Sequence, residues 1–145
     1  MRATRARTNE CRRREEVRKI TRQLWLGDAE DACDNTTLKR VGVTAVLNVA
    51  NGMYEGPDYL SFKHLKIGLL DDGSDQEIMK QLAAYTLKQL IDSGEVVLIH
   101  CGAGLSRSPY IVARYLSRRN KISLSKAYYQ LKQLAPGIDE NSPLI

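Results

Sequence analysis

The chain has 145 residues, a formal net charge of +5 and 43% hydrophobic residues, which suits one domain with a single sizeable core. No apolar run reaches the roughly 20 residues of a membrane-spanning helix, and the first residues lack the apolar region of a signal peptide. The three cysteines, Cys11, Cys33 and Cys101, are odd in number and lack metal-ligand spacing. We therefore expect a soluble, cytoplasmic protein in a reducing setting, with no metal site.

The positive charge is concentrated at the start of the chain. Residues 1–19 hold eight basic and three acidic residues, whereas the remainder holds fourteen of each. We interpret 1–19 as a basic tail or helix and 20–145 as the folded domain. Either the tail is simply solvated, or it binds an acidic partner or an anionic surface. The neutral body does not suit a domain that holds nucleic acid stably.

The first half of the chain predicts strands separated by one helical stretch. A first strand is expected over 20–27, and a helical stretch over 28–40 in which Thr36 or Thr37 caps a short helix. The segment 43–50 is almost continuously apolar, which is typical of a strand buried on both faces of a parallel sheet. A loop follows over 51–61, and its Tyr54 and Tyr59 are candidates for flanking an aromatic substrate. A strand is then expected over 62–70.

The second half predicts three helices around one further strand. After a polar loop, Ser74 or Asp75 is expected to cap a helix that ends at Gly94. The buried face of that helix is expected to carry Ile78, Leu82, Leu87, Leu90 and Ile91. A strand over 96–99 precedes a helix that starts at Leu105 or Pro109 and ends at Arg119, and a last helix runs from Ser123 to Leu134. The inward residues of the helix ending at Arg119 are predicted to be Ile111, Val112, Tyr115 and Leu116. The alternation indicates an α/β fold, a mostly parallel sheet of about four to five strands flanked by helices.

One stretch carries chemistry: an apolar strand that runs into His100 and Cys101, then a loop of small residues, then Arg107, Ser108 and Pro109. The loop consists of Gly102, Ala103, Gly104, Leu105 and Ser106. Its glycines allow the backbone to curl and present N–H groups inward at a helix N-terminus, which binds an anion such as phosphate. The same field favours the thiolate of Cys101, the form that acts as nucleophile. Arg107 can hold two phosphoryl oxygens with its planar fork. The strand end is also where open parallel sheets bind ligands, so the sequence predicts phosphoryl transfer through Cys101.

The stretch from His100 to Ser108 resembles the signature of the cysteine-dependent protein phosphatases: His-Cys, five residues, Arg, then Ser or Thr. The segments 24–27 and 43–49 are similar to strand motifs of the compact dual-specificity phosphatases, and the resemblance covers roughly residues 20–145. It implies their α/β fold, no cofactor, and a shallow pocket that admits phosphotyrosine, phosphoserine and phosphothreonine on proteins. It also implies that Ser108 stabilises the departing thiolate and that His100 orients the loop. Asn48, polar within an apolar strand, is either a satisfied core amide or a brace for the loop.

The family uses an aspartate as general acid, because the leaving oxygen must be protonated. The segment 67–71 resembles the end of the family's preceding strand, so we identify Asp71 as that acid. Asp72 is the alternative, and Asp75 is more typical of a helix cap.

Two other functions are compatible with the same motif. The first is a phosphatase for phosphoinositides or RNA 5′-phosphates with the same mechanism, although the five uncharged loop residues favour a monophosphate on protein. The second is a non-catalytic phosphoprotein-binding module, which is disfavoured because relatives of that kind usually lack the Cys or the Arg.

Overall fold

Five strands form one sheet in the computed structural model, which describes residues 17–74 and 77–145. They are β1 (Arg18–Thr21), β2 (Leu24–Gly27), β3 (Ala45–Ala50), β4 (Lys63–Leu69) and β5 (Val97–His100). Their order across the sheet is β1-β2-β5-β3-β4, with β1 antiparallel to β2 and all other neighbours parallel. β5 is central and all four of its residues are buried. The predicted α/β fold with a mostly parallel sheet is confirmed.

The first predicted strand is in fact two strands, which corrects the single strand expected over 20–27. β1 and β2 form a hairpin whose turn is held by Gln23, since its side-chain amide donates to the carbonyls of Ile91 and Glu95 at 2.9 Å each. The turn contains neither Gly nor Pro, the residues that most often mark a turn, so it could not be predicted from the residues around it. Because β1 begins at Arg18, the boundary drawn after residue 19 falls inside a strand. Residues 1–16 of the predicted tail, and with them Cys11, lie outside the described residues.

Residues 17–74 and 77–145 contain four α-helices, namely α1 (Asn35–Arg40), α2 (Glu77–Asp92), α3 (Arg107–Asn120) and α4 (Leu124–Leu134). The stretch 28–40 divides into a short 3₁₀ turn at Asp31–Cys33 and α1. The cap of α1 is Asp34, whose carboxylate accepts from the backbone N–H of Thr37 at 3.2 Å. The expected cap at Thr36 or Thr37 is therefore wrong, because both threonines already lie inside the helix.

The buried face of α2 differs from the expected one. It is a stripe of Ala83, Leu87 and Ile91 at spacings of four residues, and the small Ala83 lets the helix approach its neighbours closely. Ile78 is 61% exposed and Leu82 43% exposed, and both line an open groove between α2 and α3 of about 650 Å³. The prediction that Ile78 and Leu82 are buried is wrong. Both side chains are large and apolar, but their positions on the helix face this open groove.

The last two helices follow the sequence pattern. In α3 the four residues predicted to face inward are all buried. Ser123 caps α4 by accepting from the N–H of Lys126 at 3.1 Å. Helices α2, α3 and α4 pack on one face of the sheet and α1 on the other. No helix among residues 17–74 and 77–145 is long and apolar enough to cross a membrane.

The parallel strands place four loops at one edge. Strands β2, β3, β4 and β5 all end there, at Gly27, Ala50, Leu69 and His100. The segments that follow them therefore meet around the residue after β5, which is Cys101.

Candidate active site

The loop after β5 has a left-handed residue and approaches β2 closely. Gly104 has a φ of +75°, and a methyl group there would lie 2.8 Å from the carbonyl oxygen of Gly27. Only glycine suits a left-handed backbone pressed against another strand. The Arg107 guanidinium lies 3.4 Å from where a methyl group on Gly102 would stand. Cys101 and Arg107, six residues apart, are thus at the two ends of one turn of backbone.

Cys101 lies at the base of this loop, 2% exposed. Its Sγ is 3.3 Å from the hydroxyl oxygen of Ser108, and the two groups share a hydrogen bond. Ser108 is the second residue of α3 and is fully buried. The thiol therefore faces the N-terminus of α3, where the helix dipole favours negative charge.

His100 supports the loop from the buried side. Its Nδ1 lies 3.1 Å from the carbonyl oxygen of Cys101, and a carbonyl can only accept, so Nδ1 carries the proton. Burial lowers the pKa of His100 to about 4, which keeps the imidazole neutral near pH 7. Within the described residues its Nε2 is buried and has no hydrogen-bond partner. His100 is therefore neutral near pH 7 and contacts the backbone of Cys101 through Nδ1.

Arg107 is held from behind by groups of two other strands. Its Nη1 donates to the side-chain oxygen of Asn51 at 3.2 Å and to the carbonyl oxygen of Leu69 at 3.1 Å. Its side chain is 9% exposed, and its Nε has no hydrogen-bond partner among residues 17–74 and 77–145, with Asp71 Oδ1 3.6 Å away. The guanidinium is thus fixed in place while donors remain for a ligand.

Asn51, not Asn48, is the amide that reaches the site. Asn48 is buried and its side chain accepts from the N–H of Ala50 at 2.8 Å, within its own strand. Of the two readings of Asn48, the satisfied core amide fits this contact, whereas no contact between Asn48 and the loop is recorded among the described residues. Sequence reasoning missed Asn51, whose only signal was its position directly after a buried parallel strand.

The two neighbouring aspartates differ in their contacts. Asp71 is exposed and lies beside Arg107, as given above. Asp72 accepts from the backbone N–H of Ser74 at 2.9 Å, and bonds from the Ser74 hydroxyl and N–H lower the pKa of Asp72. The Asp72 carboxylate therefore accepts hydrogen bonds from within its own turn. Asp75 lies outside the described residues.

The two tyrosines of the loop after β3 also differ. The hydroxyl of Tyr54 would be 2.8 Å from a methyl group on Gly102, and its ring meets His100 edge-on at 6.4 Å between centroids. Tyr59 packs instead against His64, with ring centroids 5.1 Å apart. Only Tyr54 of this pair contacts the loop that carries Cys101.

Two further segments buttress the loop. After β2, the N–H of Ala29 donates to the carbonyl of Gly102 at 3.0 Å. Near residue 140, the N–H of Asp139 donates to the carbonyl of Leu105 at 2.7 Å, and the hydroxyls of Ser142 and Ser106 are 2.8 Å apart.

The segment 139–144 also contacts the loop that bears the aspartates. The carbonyl of Pro143 abuts Gly73, and the carbonyl of Leu144 accepts from Lys80 Nζ at 3.1 Å. One segment therefore joins the loop of Cys101, the loop of Asp71 and helix α2. Among the described residues there is no group of three or more His, Cys, Asp or Glu placed to hold a metal.

Comparison with known proteins assigns the family. The model of the dual specificity phosphatase catalytic domain matches residues 24–145. Dual specificity protein phosphatase Mpk3 of Drosophila melanogaster is 32% identical over 123 residues, covering 81% of this chain and 29% of that protein. Dual specificity protein phosphatase 26 of Bos taurus is 31% identical over 115 residues, covering 75% of this chain and 54% of that protein. The chain thus spans about half or less of the length of these two relatives.

Solved structures agree in fold. The crystal structure of human DUSP28 aligns with a TM-score of 0.76 and 25% identity, covering 88% of this chain and 86% of that chain. A mouse putative dual specificity phosphatase complexed with zinc tungstate gives a TM-score of 0.81 at 23% identity, covering 93% of this chain and 85% of that one, which shows the fold alone. With the loop geometry and the match over 24–145, these likenesses identify the chain as a member of the dual-specificity phosphatase catalytic domain family.

Proposed function

We propose that this chain hydrolyses phosphotyrosine, phosphoserine and phosphothreonine esters on proteins through a phosphocysteine intermediate. The observation that carries the proposal is the turn of backbone from Cys101 to the start of α3, in which the thiol lies 3.3 Å from the Ser108 hydroxyl and the Arg107 guanidinium lies beside Gly102. The family assignment supports it.

In the first step the Cys101 thiolate attacks phosphorus. The S–P bond forms as the P–O bond to the substrate side chain breaks, and its electron pair leaves with that oxygen. Arg107 and the N–H groups of residues 102–106 hold the three non-bridging oxygens. The leaving oxygen takes a proton from a carboxylic acid, which becomes a carboxylate.

We assign that acid to Asp71. It is exposed toward solvent yet 3.6 Å from the arginine that receives the phosphoryl group. Asp72 suits the role less, because its bonds to Ser74 stabilise the carboxylate and so oppose holding a proton.

In the second step water hydrolyses the S–P bond. Asp71, now ionised, removes a proton from water while the new P–O bond forms. The S–P electron pair returns to Cys101 as a thiolate, which the hydroxyl of Ser108 stabilises by donating a hydrogen bond. Phosphate leaves and the enzyme returns to its starting state.

The decisive experiment measures hydrolysis of p-nitrophenyl phosphate and of one peptide phosphorylated in turn on Tyr, Thr and Ser. We expect turnover of the aryl ester and of the three phosphopeptides, and no turnover by Cys101→Ser. Cys33→Ser is the matched control, since Cys33 is a half-buried thiol that donates to the Ala29 carbonyl at 3.5 Å. Turnover retained by Cys101→Ser would refute the phosphocysteine mechanism.

A second experiment separates the two aspartates. Asp71→Asn is expected to lower kcat by at least about 100-fold on a phosphoserine or phosphothreonine peptide, the contribution typical of a general acid. Asp72→Asn is expected to stay within about threefold, because it removes a turn contact and no reacting group. The opposite pattern would transfer the role to Asp72.

Two wider expectations belong with this function. A nucleophilic thiolate oxidises readily, so we place the chain in a reducing, intracellular and cytoplasmic setting. We also infer that the basic residues of 1–19 hold the domain near an acidic partner or an anionic surface. Removing residues 1–16 should then weaken binding to anionic vesicles or an acidic peptide while leaving kcat on p-nitrophenyl phosphate unchanged; equal binding by both chains would refute this.

A further inference from the structure

We propose that this site takes phosphorylated protein segments whose neighbouring residues are lysine or arginine, because the loops around the phosphate-binding turn are acidic and contain no basic residue. The inference concerns the same site as the proposed function and rests on it. It defines the substrate class by the charge of the residues that flank the phosphorylated residue.

Four stretches contact the turn of residues 102–106 or Arg107. They are 28–34, 51–62, 70–74 and 135–145. The first touches the turn through Ala29 and the last through Asp139, by the backbone hydrogen bonds already described. The second does so through Tyr54 at Gly102, and the third through Asp71 beside Arg107. These four stretches therefore form the rim of the pocket.

The rim has a strongly one-sided composition. Its four stretches contain ten Asp or Glu residues and no Lys or Arg. Of these, Glu55, Asp139 and Glu140 are exposed and make no ion pair within the described part of the chain. Since the chain beyond residue 19 has equal numbers of acidic and basic residues, this is a local concentration of charge and not a property of the whole body.

Three lysines from outside the rim reach its backbone. Lys66 Nζ donates to the carbonyl of Gly52 at 2.8 Å, Lys80 Nζ to that of Leu144 at 3.1 Å, and Lys132 Nζ to that of Pro136 at 3.3 Å. Their three charges offset only part of the ten acidic ones. The rim remains negative.

The centre of the site has the opposite sign. Arg107 is more than nine-tenths buried, its Nε lacks a hydrogen-bond partner in the described residues, and it lies at the end of the phosphate-binding turn. A single phosphoryl group can therefore reach a cation at the base of the pocket, while the residues that flank it lie against carboxylates. Additional phosphates, as on a phosphoinositide or a 5′-triphosphate, would meet the rim and be repelled.

The size of the effect follows from exposed ion pairs. Each such pair changes affinity by roughly 1.5- to 5-fold at moderate salt. Two flanking lysines should therefore raise kcat/KM by about tenfold over two flanking glutamates, and the difference should shrink as salt shortens the screening length.

The test uses three peptides that share one phosphorylated residue and differ only in flanking residues: lysine, glutamine or glutamate. We expect kcat/KM to fall in that order at about 20 mM salt and to converge at about 500 mM. Equal values, or the reverse order, would overturn the inference. Activity on p-nitrophenyl phosphate is measured beside them, because its loss would refute the proposed function itself, whereas its presence with equal peptides would refute only the charge preference.

A double variant locates the preference on the rim. Glu55→Gln with Glu140→Gln should reduce the lysine-to-glutamate ratio of kcat/KM by about threefold or more. The control is Asp92→Asn, which neutralises one acid at the end of α2, at the opposite edge of the sheet from the rim. It should leave the ratio as in the wild type. A ratio unchanged in the rim variant, or changed equally in both, would refute the assignment to the rim.

Discussion

Replacing Gly104 by alanine tests whether the shape of the phosphate-binding turn, and not only its composition, sets activity. Two costs apply at this position. A left-handed φ costs an L-residue about 1–2 kcal/mol, and the new methyl group would lie 2.8 Å from the Gly27 carbonyl oxygen. Relieving that contact requires the turn or β2 to move by about half an ångström, which is enough to lower kcat/KM by about tenfold when catalytic groups must stay aligned.

Two other glycines separate these costs. Gly42 has a φ of +89° with no atom within 4 Å of a methyl group, whereas Gly137 has the same free space without a left-handed φ. By urea unfolding, we expect Gly137→Ala to be neutral or slightly stabilising, Gly42→Ala to lose about 1 kcal/mol, and Gly104→Ala to lose about 2–3 kcal/mol. Activity should fall only in Gly104→Ala. If Gly104→Ala matched Gly42→Ala in both stability and kcat/KM, the close approach of Gly104 to β2 would not matter for activity.

Three further variants probe the groups around Cys101. Ser108→Ala should slow release of the Cys101 thiolate, so stopped-flow traces should show a burst of p-nitrophenol and a kcat lowered about tenfold; unchanged kcat would remove Ser108 from the mechanism. Asn51→Leu removes one of the two bonds that fix Arg107, and since water reaches Asn51 we expect a loss of about 1 kcal/mol, or about fivefold, in kcat/KM; a change below twofold would mean that the remaining carbonyl suffices. The lowered pKa of His100 means that the folded state resists a proton that the unfolded state accepts, so the free energy of unfolding should fall by up to about 1.4 kcal/mol per pH unit between about pH 6.5 and 4. His100→Gln should reduce this dependence of the unfolding free energy on pH. An unaltered dependence in the variant would refute its assignment to His100.

The sequence predicted the central strand, the turn and the start of α3 because their signals are local. A β-branched apolar run, two glycines and Pro109 within the first turn of a helix each constrain the backbone directly. The family resemblance drawn from the same residues is confirmed over 24–145. The sheet order could be anticipated only as a class, since strand neighbours depend on contacts between distant segments.

The features that could not be predicted from the sequence have a different physical origin. The hairpin of β1 and β2 depends on Gln23 reaching carbonyls near residue 95, and Asn51 reaches Arg107 across more than fifty residues. Neither contact leaves a periodic or local trace. The exposure of Ile78 and Leu82 was missed because an apolar helix residue is buried only if a neighbouring element covers it.

The segment 139–144 has a consequence for the order in which the site is built. Its contacts bridge the turn near Leu105, the loop at Gly73 and helix α2 at Lys80. Ribosomal synthesis proceeds at about 5–20 residues per second and N-terminal segments fold first. Cys101, Arg107 and Asp71 are therefore all synthesised before the segment that contacts their loops. Until residue 144 has left the ribosome, the nascent domain can form most of its sheet while the turn after Cys101 still lacks these contacts.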